Sequence, residues 1–144
     1  AGNEFGAVTG RPRRCGWFDA PLLRYTATVN GFDSLIMTKL DVLDELDEIP
    51  VCVAYRIDGQ ETSEMPATFR GMQAIKPVYR KLPGWRTSTR GVSDFGALPE
   101  AARKYLAFLE EQTGVEIGCV STGPERNETI IRSGSKLEAF FSGK

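Results

Sequence analysis

Two hydrophobic rhythms run along this chain. Leu22, Leu23, Thr26 and Val29 fall at helical spacing, preceded by Asp19 and Pro21 and followed by Asn30-Gly31. Asp19 can accept the first free helix N–H groups, Pro is tolerated in a first turn and Asn-Gly supplies a left-handed stop, so a helix is predicted over about 20–29. Ser34-Leu35-Ile36-Met37-Thr38 is instead a short continuous apolar run between turn residues, the pattern of a strand buried on both faces. Asp41 to Leu46 predicts a short helical turn. Ile49 to Ile57, Asp58-Gly59 and Gln60 to Pro66 predict a β-hairpin, because Asp-Gly favours the primed turns that match strand twist.

Ala67 to Ile75 is expected to contain a short helix, and Pro77 to Trp85 an extended segment that its prolines confine to an edge or loop. Thr87 to Ala97, polar and punctuated by glycine, is predicted as loop. From Pro99 the helical rhythm returns in Ala102, Tyr105, Leu106 and Leu109, with Glu110 and Glu111 outward and Thr113-Gly114 as the stop. Val115 to Val120 predicts a second buried strand, Ser121 to Pro124 a loop at its carboxyl end, and Thr129 to Ile131 a last strand. Ser133 to Lys144 shows no clear periodicity and is expected to be a terminal tail. The order of elements predicts an α/β fold with a mainly parallel, helix-flanked sheet and a hairpin excursion at Ile49 to Pro66.

Charge and composition narrow the partners. With 18 Lys and Arg against 19 Asp and Glu, a formal net charge of −1, the 144-residue chain lacks the basic excess of a nucleic-acid or polybasic membrane-surface protein. No apolar run approaches the ~20 residues that span a bilayer, so no membrane partner is expected. There is no histidine, which excludes imidazole acid–base chemistry, Ser–His and Cys–His pairs and His-ligated zinc within the chain. Cys15, Cys52 and Cys119 are widely spaced without a C-x-x-C, so a reducing, cytoplasmic setting is expected, with Cys52 and Cys119 as inert core residues. The start, Ala1-Gly2-Asn3-Glu4-Phe5-Gly6, has no Met, basic region or apolar region of a secretory signal and reads as the cut edge of a longer protein.

Three segments could carry chemistry. In Gly6-Ala7-Val8-Thr9-Gly10-Arg11-Pro12-Arg13-Arg14, glycines allow close backbone approach and guanidinium forks match carboxylate or phosphate. A solvated or interface cluster of arginines reads equally well there. In Thr38-Lys39-Leu40-Asp41, a carboxylate at a strand end can accept from guanine N1–H and the 2-amino group while the Lys stem lies across the base. The alternative is a strand end followed by an Asp that caps the next turn. Ser121-Thr122-Gly123 is a small-residue loop in an equivalent place, a kind also selected for turn conformation alone. No G-x-x-x-x-G-K-[ST] phosphate loop occurs; Gly91 to Gly96 has the glycine spacing but continues Ala97-Leu98.

Taken together and in this order, Gly6 to Asp19 (GAVTGRPRRCGWFD), Leu35 to Leu46 (LIMTKLDVLDEL), Val51 to Arg56 (VCVAYR), Pro83-Gly84-Trp85 and Val120 to Thr129 (VSTGPERNET) resemble the C-terminal part of the adenylosuccinate synthetase family. The resemblance runs from Gly2 to about Ile131. It implies the C-terminal part of a P-loop NTPase-like fold and a ligase that joins L-aspartate to IMP at the expense of GTP, with Mg²⁺, yielding adenylosuccinate, GDP and phosphate for AMP synthesis. In that family GTP phosphorylates the 6-oxygen of IMP and the aspartate amine then displaces the phosphate.

The resemblance implies that Ala7, Val8, Thr9, Gly10 and Arg11 form an aspartate-recognition loop, Arg11 also approaching the IMP ribose, and that Arg13 contacts GTP. It implies that Lys39, Leu40 and Asp41 read guanine while Ser121, Thr122 and Gly123 close over the base. It further implies that residues 1–144 lack the family's N-terminal region with its phosphate loop, metal ligands and catalytic Asp and His, so that no catalytic or metal-binding residue is expected in this chain. The full-length family is expected to be homodimeric. Two functions follow: a ligase portion that reads IMP, L-aspartate and GTP but is inactive alone, or a non-catalytic guanine-nucleotide-binding or interaction module on the same fold.

Overall fold

The computed structural model describes residues 4–143; Ala1-Gly2-Asn3 and Lys144, which the sequence analysis assigned to a cut edge and a tail, lie outside the described residues. In chain order the elements are β1 (Phe18–Asp19), α1 (Ala20–Asn30), β2 (Ser34–Met37), β3 (Glu48–Ile57), β4 (Gln60–Thr62), α2 (Phe69–Gln73), β5 (Lys76–Pro83), α3 (Glu100–Thr113), β6 (Glu116–Ser121), β7 (Thr129–Ile131) and α4 (Lys136–Phe141). Single 3₁₀ turns occupy Leu40–Leu43, Phe95–Ala97 and Arg126–Glu128.

The strands form two mixed sheets. In the first, β3 is central: β5 runs antiparallel along one edge, from Glu48 opposite Pro83 to Arg56 opposite Lys76. The other edge carries β1, parallel at Val51 and Cys52, and β4, antiparallel at Tyr55 to Ile57. In the second sheet β6 is central, parallel to β2 and antiparallel to β7. The expectation of a mainly parallel sheet is therefore corrected, since β1–β3 and β2–β6 are the parallel pairs and the other pairings are antiparallel. Connector length enforces this for β3–β4 and β6–β7, where two residues and a short loop cannot hold the crossover that a parallel pair requires. The hairpin itself forms as expected, with Asp58 and Gly59 at φ 49° and 84° in the primed-turn region. Its second arm is short, ending at Thr62.

Asp19 caps α1, accepting from the Leu22 N–H at 3.0 Å, and the same carboxylate accepts the buried Tyr55 hydroxyl at 2.6 Å. Burial, together with that acceptor, pushes the Tyr55 phenol far above its ordinary range. The helix is thereby fastened to β3. α3 is the helix both sheets share: Ala102, Tyr105, Leu106 and Leu109 are buried with Ile49 and Val51 of the first sheet and Ile117 and Val120 of the second. Arg24 of α1 donates from Nε at 2.9 Å, and from Nη2, to the Gln112 carbonyl, an acceptor that the end of α3 leaves without a helical partner.

Other expectations change on folding. β6 is buried as predicted, whereas among the described residues β2 is paired on one edge only and Ile36 is 59% exposed, so β2 is an edge strand rather than one covered on both faces. Glu110 does not point simply outward; it accepts the Ile117 N–H at 2.7 Å and pairs with Arg132 at 2.7 Å, joining α3 to the second sheet. The tail expected after Ser133 contains α4, capped by Ser135, which accepts from the Glu138 N–H at 3.1 Å.

Candidate functional site

The parallel register of β2 and β6 sets Met37 opposite Val120, so the segments leaving their carboxyl ends emerge side by side. One carries Thr38, Lys39 and Asp41, the other Ser121, Gly123 and Pro124, and both line a cleft of about 1400 Å³. The third wall is Arg86, Thr87, Ser88 and Arg90. Carboxyl ends of neighbouring parallel strands are where α/β sheets hold ligands, because the diverging loops leave a crevice.

Unusual backbone geometry gathers at this cleft. The non-glycine residues with positive φ among the described residues are Asp58 in the hairpin turn, Lys39 at 60° and Arg86 at 49°, and the last two line the cleft. The left-handed region costs an L-residue about 1–2 kcal/mol and persists only where the surroundings fix it. Lys39 stands at the cap position of the 3₁₀ turn without a side-chain capping bond. Its ammonium pairs with the Glu4 carboxylate, which Arg13 faces at 3.9 Å. The hydrogen bond from Lys39, helped by the charges of Lys39 and Arg13, holds the Glu4 carboxyl below its usual range.

Asp41 lies inside the turn and borders the cleft, and among the described residues its carboxylate makes no hydrogen bond or ion pair. It is not the cap of that turn. Leu40, by contrast, is 1% exposed and belongs to the core, where it anchors the turn. Ser121 donates to the Gly123 carbonyl at 2.8 Å, closing its loop tightly. Thr122 is fully buried, and its hydroxyl lies 3.0 Å from the Val92 carbonyl and 3.1 Å from that of Glu128. Its side chain faces inward, away from the cleft that Ser121 and Gly123 border.

The arginine loop is a closed excursion: the Gly6 N–H donates to the Arg11 carbonyl at 2.8 Å, the Gly10 N–H to the Gly6 carbonyl at 2.8 Å, and Phe5 bridges Pro12. Ala7, Val8, Thr9, Gly10 and Arg11 form its exposed tip, and the Thr9 hydroxyl is an acceptor 3.5 Å from the Arg11 N–H. These residues do not line the cleft. The loop reaches it through Glu4, which binds Arg13 at the loop's base and Lys39 at the cleft's edge.

Sequence reasoning missed the third wall and what holds it. The Asp44 carboxylate accepts Trp85 Nε1–H at 2.7 Å, the Thr89 N–H at 2.7 Å and the Thr89 hydroxyl at 2.8 Å. Gly84 permits this approach, since a Cβ there would stand 1.8 Å from the Leu46 carbonyl oxygen. Glu128 folds the Ser121 to Pro124 loop back on itself, and a Cβ on Gly123 would meet its carboxylate at 2.2 Å. Arg90, on the third wall, faces the Glu128 carboxylate at 3.9 Å. The legible signals were an Asp within the apolar Val42-Leu43-Asp44-Glu45-Leu46 and a polar loop directly after a buried-type Trp. Among the described residues no three His, Cys, Asp or Glu side chains gather where they could hold a metal ion. No helix among them is long and apolar enough to cross a membrane.

A sequence model of the family described as adenylosuccinate synthetase matches residues 1–130. The chain belongs to the adenylosuccinate synthetase family. It is similar to the adenylosuccinate synthetase of Solibacter usitatus, 67% identical over 140 residues that make up 97% of this chain and 32% of the relative. It is likewise similar to that of Koribacter versatilis, 57% identical over 129 residues, or 90% of this chain and 29% of the relative. A solved structure of fully ligated adenylosuccinate synthetase from Plasmodium falciparum matches with a TM-score of 0.85 and 36% identity, covering 92% of this chain and 32% of that one. The chain thus spans about a third of the length of these family members, and its α/β fold is theirs.

Proposed function

We propose that this chain is the substrate-reading C-terminal part of a GTP-dependent ligase that joins L-aspartate to IMP, forming adenylosuccinate, GDP and phosphate in the cytoplasm. The observation that carries the reading is Asp41: a carboxylate without a protein partner among the described residues, on a turn fixed by Leu40, bordering a cleft large enough for a nucleotide. An acceptor-only group so placed suits the two adjacent donors on the Watson–Crick edge of guanine. Lys39 lays its stem along the base, and Ser121 and Gly123 close over it. Leu40 and Thr122 serve this site from inside the protein by holding their loops.

Arg13 serves the phosphate-bearing side of the nucleotide, and the tip from Ala7 to Arg11 receives the aspartate carboxylates and the IMP ribose. Its exposure suits a loop that closes only on substrate. In this reading the Mg²⁺ ligands and the groups that move protons and the phosphoryl group are assigned to the part of the family polypeptide outside this chain; among the described residues no three His, Cys, Asp or Glu side chains gather where they could hold a metal ion. We assign the two mixed sheets to the C-terminal part of a larger P-loop NTPase-like sheet, in an enzyme that works as a homodimer.

The test reverses the hydrogen-bond logic at Asp41 in the complete enzyme. Asp41→Asn turns one acceptor into a donor that faces the guanine 2-amino group, at a cost on the order of 2–4 kcal/mol, or roughly 30- to 1000-fold in kcat/KM for GTP. Xanthosine triphosphate carries an oxygen there and should become the better substrate. A variant that keeps the parent's preference for GTP removes Asp41 as the base reader.

A further inference from the structure

The three walls of the cleft come from distant parts of the chain, and one carboxylate joins two of them. Asp44 directly follows the 3₁₀ turn that carries Asp41, and its N–H donates to the Asp41 carbonyl at 3.2 Å. On the other side it receives the Trp85 indole and both donors of Thr89. Thr89 is fully buried and Trp85 is 7% exposed, packed on Tyr105 of α3 with ring centroids 5.9 Å apart. Other side-chain ties of Arg86 to Arg90 are local, the Thr87 hydroxyl donating to the Trp85 carbonyl at 3.0 Å and the Arg90 N–H to the Ser88 hydroxyl at 3.3 Å, or run through exposed arginines, Arg86 with the exposed Asp47 at 2.8 Å and Arg90 with the mostly buried Glu128 at 3.9 Å. Local bonds do not tie the loop to the opposite wall, and ion pairs on exposed arginines fix it weakly. Hydrogen bonds to a charged acceptor with well-buried donors fix it strongly.

We propose that Asp44 is a positioning residue for nucleotide recognition: by accepting from Trp85 and from both donors of Thr89 it fixes the Arg86 to Arg90 loop across the cleft from Asp41, setting nucleotide affinity without contacting the base. Asp44 also borders the cleft, but its two carboxylate oxygens are committed to protein donors, whereas the Asp41 carboxylate has no hydrogen bond or ion pair among the described residues. The same clamp explains the left-handed Arg86, which must turn the chain between a Trp held in the core and a Thr held on Asp44. The proposal rests on reading the cleft as the guanine-nucleotide site.

The experiment is steady-state kinetics on the complete enzyme with all three substrates varied. Asp44→Asn places a donor against the Thr89 N–H and should raise the KM for GTP about tenfold or more. The KM values for IMP and aspartate should stay within about twofold, because a local clamp acts only on the wall it holds. Thr89→Val removes one of the three donors and should move the KM for GTP in the same direction, while Thr89→Ser keeps both Thr89 donors and should restore it. If Asp44→Asn does not fold, the Thr89 pair decides. Equal shifts in all three KM values, or a lower unfolding temperature with an unchanged KM for GTP, would overturn the proposal. Asp41→Asn separates the two levels. If it switches nucleotide preference and the clamp variants leave the KM for GTP alone, only the role of Asp44 falls; if it leaves preference unchanged, the assignment of the cleft falls first and this proposal with it.

Discussion

A side chain's partners, more than its type, decide what it does here. Asp19, Asp41 and Asp44 are the same residue in three states: one caps a helix and holds a tyrosine, one is open to a cleft, one is saturated by three donors. The cysteines divide in the same way. Burial pushes the Cys52 and Cys119 thiols up, because a thiolate would lose its hydration, whereas Cys15 is exposed on the arginine loop. Titration of the native chain with a thiol-reactive disulfide near neutral pH should therefore modify Cys15 rapidly and the other two only after denaturant is added. Fast modification of all three in the native state would contradict this burial. The core role of Cys52 and Cys119 was legible from their strand runs. Those of Leu40 and Thr122 were not, since a motif says which residues adjoin a site and only tertiary packing says which side chains face it.

Among the elements, those specified by local rules formed where the sequence placed them. α1 has its Asp cap and Gly stop, the hairpin turn its Asp-Gly pair, and α3 its apolar stripe. What could not be read locally was pairing. The long partner of β3 is β5, a proline-flanked run that pairs with it from Glu48 to Arg56 with a register shift between Cys52 and Ala54. The crossing at Gly84 is non-local in the same sense, because its reason lies in the Leu46 carbonyl beneath it. Gly84→Ala would drive a methyl group into that backbone, and the chain must move to relieve it. We expect a loss of about 2 kcal/mol or more of stability, read as a lower urea midpoint, together with a loosened Trp85 whose fluorescence shifts to the red. An unchanged midpoint with an unchanged spectrum would show that the crossing is looser than its geometry indicates.

At the scale of the molecule, α3 closes the core between the two sheets, yet the outer surface keeps apolar groups that a small domain would normally cover. Leu22, Tyr25 and Val29 recur at helical spacing on α1 and are 43%, 54% and 65% exposed. The side of α1 facing the core carries Ala20 and Ala27, so the helix has a second, uncovered stripe. β2 adds an edge with no partner among the described residues, and Ile36 stands exposed on it. Contiguous apolar surface and open strand edges are covered by partners in stable proteins. We expect the rest of the family polypeptide, about two-thirds of its length, to supply that cover in the complete enzyme, and a second copy to supply it in the isolated chain. Sedimentation of the isolated chain over a dilution series should therefore show a mass that rises with concentration. Val29→Glu puts a charge at the carboxyl end of the α1 stripe at a position already mostly in water. It should shift that equilibrium toward monomer while leaving the unfolding midpoint within about 0.5 kcal/mol of the parent. A parent chain that stays monomeric at every concentration would mean that the α1 stripe and the β2 edge are tolerated bare. A Val29→Glu variant that unfolds easily would mean instead that the stripe packs within its own chain.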